Sequence, residues 1–143
     1  MNIQLVTVGK PKLAYAKSGW DEYLARLQRQ HTIRVTQLAD KFAYDAPKIL
    51  EASSGTYRVA LVIEGQQFSS QGLAEFLQKR ELESREVSFI IGGPEGLPAE
   101  VIEKSDFKWS LGKLTLPHDL AMVVALEALY RASTINAGRP YHK

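Results

Sequence analysis

Between Gly92 and Gly96 the sequence reads GGPEG, directly after the apolar run Val87–Ile91. Glycines at the end of a buried strand mark a place where backbone and ligand can meet closely, and phosphate is the usual ligand of such loops. This one is built against phosphate: Pro94 has no N–H to donate and Glu95 repels an anion. The loop therefore predicts a neutral or cationic ligand, with Gly92 and Gly93 letting the backbone approach a flat ring. LVIEG, ending at Gly65, and LGKLTLPH, residues 111–118, have the same apolar-to-glycine or apolar-to-proline form. Three such ends fit the rule that open α/β sheets bind ligands beyond the carboxyl ends of their strands. Plain tight turns are the alternative reading of each segment taken singly. A second chemical cluster lies at the carboxyl end, where no acid follows Glu127 while Arg131, Arg139, His142 and Lys143 accumulate. Such a tail suits an anionic partner, or else is a solvated terminus. Of the other histidines, His31 reads as a surface residue in a turn and His118 as a first-turn polar residue of a helix.

Composition narrows the chemistry further. The 143 residues contain no cysteine, which excludes a thiol nucleophile, disulfides and a cysteine zinc site, and no metal is expected. The Walker pattern is missing, and the first strand leads into VGKPKLA, with one glycine instead of G-x-G-x-x-G. A formal net charge of +2 is too small for a polybasic nucleic-acid coat. With 45% hydrophobic and 24% charged residues the chain is of globular type. No run approaches the roughly 20 apolar residues of a membrane span and no signal peptide is recognisable, so a cytoplasmic protein is the simplest expectation.

The elements that must position these residues alternate strand and helix. IQLVTV predicts a strand, Leu13–Gln30 a helix with Trp20, Tyr23, Leu24 and Leu27 on one side, and TIRVTQL a half-buried strand. KILEAS reads as a short helix and RVALVI as a strand buried on both faces. Ser69 or Ser70 is the cap of a helix whose stripe is Leu73, Phe76 and Leu77. VSFII is another buried strand, PAEVIEKS a short helix, and the last helix spans Pro117 to Asn136. Residues 39–45 are a candidate surface loop near function, or, taken alone, a plain connector. The fold class is α/β, with about five strands in a mostly parallel sheet and a single domain over residues 1–143. The last helix is apolar nearly all round, broken by Glu127 and Arg131. A helix apolar on every side must be buried on every side, which predicts a homodimer through it.

FIIGGPEGL, WSLGKLTLPHDLAMVVALEALYRA and the terminal RPYHK, with VTVGKPK and GWDEYLARL near the start, resemble the ribosomal large-subunit methyltransferase H family of SPOUT methyltransferases. The resemblance covers the whole chain. It implies helices on both faces of the sheet, a deep trefoil knot in the carboxyl-terminal third and a homodimer. It also implies methyl transfer from S-adenosylmethionine to N3 of a pseudouridine in large-subunit ribosomal RNA, on assembled ribosomes. Carried over position by position, the cofactor contacts fall on Leu61, Gly92, Leu111, Gly112, Lys113, Leu114, Thr115 and Leu116. A sulfonium nucleoside has no phosphates, which accommodates Pro94, while Glu95 either favours the cation or fixes the loop. The tail then supplies chemistry: His142 as base or proton relay, with Arg139, Tyr141 and Lys143 on the RNA. Lys10, Lys12, Lys17, Arg26, Arg29 and Arg34 are further phosphate candidates, or else ordinary solvated surface charges. The competing reading is a non-catalytic, ribosome-associated RNA-binding protein on the same fold.

Overall fold

The structure, a computed structural model, describes residues 1–142, the last of them through its backbone. Five strands, β1 (Asn2–Val8), β2 (Thr32–Leu38), β3 (Tyr57–Gln66), β4 (Val87–Ile91) and β5 (Phe107–Trp109), form one sheet in the order β2-β1-β4-β3-β5. Every pairing is parallel. Four α-helices connect them, α1 (Ala14–Gln28), α2 (Ala46–Ala52), α3 (Ser70–Leu82) and α4 (Ala99–Glu103), and α5 (His118–Asn136) follows β5. Short 3₁₀ turns cover Asp40–Phe42 and Pro140–His142.

The alternation along β1 decides which helices lie where. Ile3 and Leu5 face one core with Trp20 and Leu27 of α1, Leu73 and Leu77 of α3, and Met122, Leu126 and Leu129 of α5. Val6 and Val8 point the other way, into a smaller core with Ile49 of α2 and Val101. This period of two on a sheet covered on both sides explains why β4 is buried at all five positions. Gln4, also on the smaller-core side, is fully buried and satisfied, donating to Thr36 Oγ1 and the Ala52 carbonyl and accepting from Ser88 Oγ at 2.7 Å.

Two expectations need correction, and one observation bears on a third. β3 runs past RVALVI to Gln66, and Val59 and Ala60 are its buried positions; Ile63 is exposed. Its ladder to β5 is broken between Leu61 and Gln66, so residues 62–65 arch away from the sheet edge. His31 is not a surface residue. Its Nε2 lies 2.8 Å from Ser133 Oγ and its Nδ1 3.4 Å from the Met1 amine. Ser133 gives its hydroxyl proton to the Leu129 carbonyl, which assigns the ring proton to Nε2 and the Nδ1 lone pair to the amine. Burial first, and the amine second, lower the His31 pKa to about 4. Finally, α1 and α3 flank α5, and no side chain from Asp119 to Ile135 is exposed in the single chain. Much of the apolar circumference of α5 is thus covered from within, while Leu120 and Val124 stay only half-buried.

Candidate functional site

β1 and β4 are neighbours, but the chain leaves β1 toward β2 on one side and β4 toward β5 on the other. Such a reversal opens a crevice at the carboxyl ends of the strands. A cavity of about 590 Å³ lies at that end of the sheet, beside β4 and β3. Its walls are the arch Leu61–Glu64, the β4 end and loop 91–97, Leu111, Gly112 and residues 114–116, with His118 and Ala121 from α5. The three segments singled out in the sequence thus meet around one space. Leu61, Gly92, Leu111, Gly112, Leu114, Thr115 and Leu116 all line it; Lys113 does not.

The loop after β4 closes as a four-residue turn in which the Gly96 N–H donates to the Gly93 carbonyl at 2.9 Å. Pro94 holds the second position and Gly96, at φ +89°, the fourth, which are their favoured places. Gly92 serves the loop itself: a Cβ there would stand 2.6 Å from the Gly96 carbonyl group. That corrects the idea that its missing side chain faces a ligand ring. Glu95 accepts a hydrogen bond from the Tyr44 hydroxyl, and this bond is the main reason the Tyr44 pKa is raised. Of the two roles open to Glu95, fixing the loop is therefore realised, and residues 39–45 are more than a connector.

On the opposite wall, Ser110 ties the 110–112 strand end to the arch. Its hydroxyl lies 2.7 Å from the Ile63 carbonyl and 3.0 Å from that of Gly112, and it accepts from the Gly112 N–H at 3.1 Å. The start of α5 is anchored by Asp119, whose Oδ2 accepts the N–H groups of Leu13 at 2.6 Å and Lys12 at 2.8 Å. Leu13 is the N-cap of α1 and has no capping side chain of its own, so Asp119 caps that helix from across the fold. The Leu13 N–H above all, then that of Lys12 and the nearby charges of His118 and Lys12, hold the Asp119 carboxyl below its ordinary range against the opposing effect of burial. His118 beside it is nine-tenths buried, lines the cavity, and has an Nε2 without a hydrogen-bond partner among the described residues. Its reading as a mere first-turn residue missed this; a polar ring two residues after the last cofactor-segment position was the available signal.

The tail lies elsewhere. α5 ends in a Schellman turn: Gly138, at φ +71°, donates to the Ile135 carbonyl and Arg139 to that of Thr134. The chain folds back, and the Tyr141 hydroxyl meets Glu127 Oε2 at 2.9 Å and Tyr23 OH at 3.2 Å. Arg131 pairs with Glu127 at 2.8 Å and stacks 4.9 Å from the Tyr141 ring centroid. Burial chiefly, then these two hydrogen bonds, push the Tyr141 phenol up. Arg139 and Tyr141 do not line the cavity of their own chain. The His142 side chain and all of Lys143 lie outside the described residues.

A five-stranded parallel sheet with its cavity built from a β4 loop and a strand-to-helix segment defines a class. The sequence matches the family described as "Predicted SPOUT methyltransferase" over residues 1–142. Solved structures share the fold: a tRNA (m1G37) methyltransferase from Aquifex aeolicus has a TM-score of 0.58 at 14% identity, covering 91% of this chain and 69% of that one. A methylase family protein from Neisseria gonorrhoeae also has 0.58, at 15% identity, covering 90% and 81%. Sequence relatives narrow the class. Ribosomal RNA large subunit methyltransferase H of Deinococcus radiodurans is 48% identical over 145 residues, covering 100% of this chain and 99% of the relative. The Bacillus cereus (strain ATCC 10987) protein of the same name is 40% identical over 159 residues, with 100% of both covered. This chain belongs to the ribosomal RNA large subunit methyltransferase H family of SPOUT methyltransferases.

Proposed function

We propose that the protein transfers a methyl group from S-adenosylmethionine to N3 of a pseudouridine in large-subunit ribosomal RNA on assembled ribosomes. The observation that carries this reading is the convergence of Leu61, Gly92, Leu111, Gly112 and Leu114–Leu116 on one cavity. The donor set fits that cofactor. Apolar walls would suit a purine, the interrupted β3 ladder leaves backbone groups at the cavity wall that could meet its edge, and the carboxylates of Glu64 and Glu95 on that wall would suit a cationic group. Pro94, hostile to phosphate, is neutral toward it. When bound, S-adenosylmethionine supplies an electrophilic methyl on sulfur.

The residues of this chain then have two tasks. Those around the cavity, with Lys113 between two of them in sequence, would hold the methyl donor in line with the nucleophile, where positioning is the largest contribution. The N3 proton must also leave the pseudouridine ring, and His142 is the assigned base or relay, with Arg139 and Lys143 on phosphate or the developing imide anion and Tyr141 on the RNA. Because Tyr141 is held on α1 and α5 of its own chain, the tail serves the cavity of a second copy. Leu120, Val124 and Ala128, half-buried at four-residue spacing on α5, support a homodimer through that helix. The reading includes one methyltransferase domain over residues 1–143, the trefoil knot of the family and a cytoplasmic setting; among the described residues no helix is long and apolar enough to cross a membrane.

Labelled S-adenosylmethionine tests the proposal. Ribosomes carrying the pseudouridine without its methyl group should take up label, and the matching naked RNA should not. Cofactor binding without label in either would defeat the substrate assignment and move the search to other RNAs; RNA binding without cofactor affinity would favour the non-catalytic alternative.

A further inference from the structure

Three loops leave the carboxyl ends of the adjacent strands β2, β1 and β4, and they are tied together beside the cavity. The Gly9 N–H donates to the Leu38 carbonyl at 2.7 Å, and the Thr7 hydroxyl to the Gly9 carbonyl at 2.8 Å. Gly9 sits at φ +84°, and a Cβ there would stand 2.4 Å from Asp40 Oδ1. Lys12 Nζ meets Asp40 Oδ2 at 3.1 Å. A Cβ on Gly93 would touch Ala43 at 3.4 Å, and Tyr44 donates to Glu95. The result is a continuous ledge whose inner edge, Glu95, is cavity wall.

The ledge has an uncommon surface. Lys10, Lys12 and Lys41 are exposed on it, and its acids are engaged: Asp40 by Lys12, Glu95 by Tyr44, and Asp45 by the Lys48 N–H at the start of α2. Among these cations stand exposed apolar groups, Tyr44 at 70%, Leu13 at 56% and Tyr15 at 53%. Lysines interleaved with exposed aromatic rings match the backbone of single-stranded RNA and the faces of its bases. An apolar protein partner would leave these lysines buried and unpaired, which costs more than it returns.

We propose that this ledge is the RNA-docking surface. Tyr44 stacks on a base next to the target nucleotide, and Lys10 and Lys41 meet the flanking phosphates. Tyr44 is the specificity-bearing member, because its exposed ring stands at the mouth, beside the cavity-lining Glu95. The inference rests on the reading of the chain as an RNA methyltransferase.

The test is the KM for methyl-deficient ribosomes, measured with the full-length protein beside the dissociation constant of S-adenosylhomocysteine. Tyr44→Ala should raise that KM about tenfold, the effect of losing one base stack, with nucleoside binding unchanged. Tyr44→Phe keeps the ring and should restore most of the loss. Lys10→Glu with Lys41→Glu should raise KM more at low salt than at high salt. Lys79→Glu reverses a single charge at an exposed position of α3, two residues from Glu81, which pairs with the Met1 amine at the amino end of the sheet, and should do nothing. Variants within twofold of the parent would overturn the proposal. So would Tyr44→Phe failing as badly as Tyr44→Ala, since the effect would then run through Glu95 and the loop. If the parent itself labels no ribosomes, the substrate reading fails instead, and the same variants competed for a generic single-stranded RNA still decide the ledge.

Discussion

Single residues in this site are constrained by their own chain before any ligand arrives. Gly92 is the clearest case, since the carbonyl group of Gly96 occupies the place where its Cβ would be. Backbone cannot yield there as a flexible side chain would. Gly92→Ala should therefore unseat the turn at Pro94 and weaken S-adenosylhomocysteine binding at least about tenfold, by calorimetry, while the remote cores keep the protein folded. Unchanged binding would mean that the loop has another packing available. Asp119 is constrained by what it holds. Its carboxylate satisfies two N–H groups at the start of α1, and hydrogen bonds to a charged group contribute about 1.5–3 kcal/mol. Asp119→Ala should lower stability by an amount of that order. Because the folded-state pKa lies below the ordinary carboxylate value, this contribution is present above the unfolded pKa and is lost as pH falls through the folded one. Acid titration of stability should accordingly be shallower in the variant than in the parent.

Among the elements, those with a local signature are the ones the sequence announces. β1 and β4 follow from short segments dominated by Ile, Leu, Val and Phe, α3 from its Ser69 cap, and α5 from its length. What stays hidden is fixed by partners distant in sequence. β5 is three residues long, and residues 62–65 are looped out of β3 between Leu61 and Gln66, which both pair with Trp109. Nothing near His31 reveals that Met1 and Ser133 close over it. Its titration is a consequence of that packing. The folded pKa is lowered from 6.5 to about 4, so neutral His31 contributes fully above pH 6.5, and the contribution is lost as pH falls toward 4. Replacing His31 by Gln should flatten the stability profile across this window, as read by urea unfolding at several pH values. An unchanged slope would assign the acid sensitivity to other groups. The cavity walls were legible because three strand ends carry glycine or proline. Ser110, Tyr44 and the cap by Asp119 were not, since each acts across the fold.

At the scale of the whole molecule, the cavity and the tail that should serve it are separated within one chain. The Schellman turn at Gly138 sends the chain back along α5, and Tyr141 is bonded there to Glu127 and Tyr23. A tail so held reaches a cavity if a second copy brings its own to the same helix face. This arrangement makes a complementation prediction that a monomer, or a tail acting within its own chain, does not share. Gly92→Ala disables the cavity and spares the tail; deletion of residues 140–143 disables the tail and spares the cavity. Each variant expressed singly should be inactive toward methyl-deficient ribosomes. Co-expressed at equal levels, half of the dimers are mixed, and each mixed dimer pairs one intact cavity with one intact tail. Methylation should then return to about a quarter of the parent level, as expected for random pairing in a two-fold dimer. No recovery, with mixed dimers present by tandem affinity tags, would place the tail on its own chain's cavity and require Tyr141 to leave Glu127 during turnover.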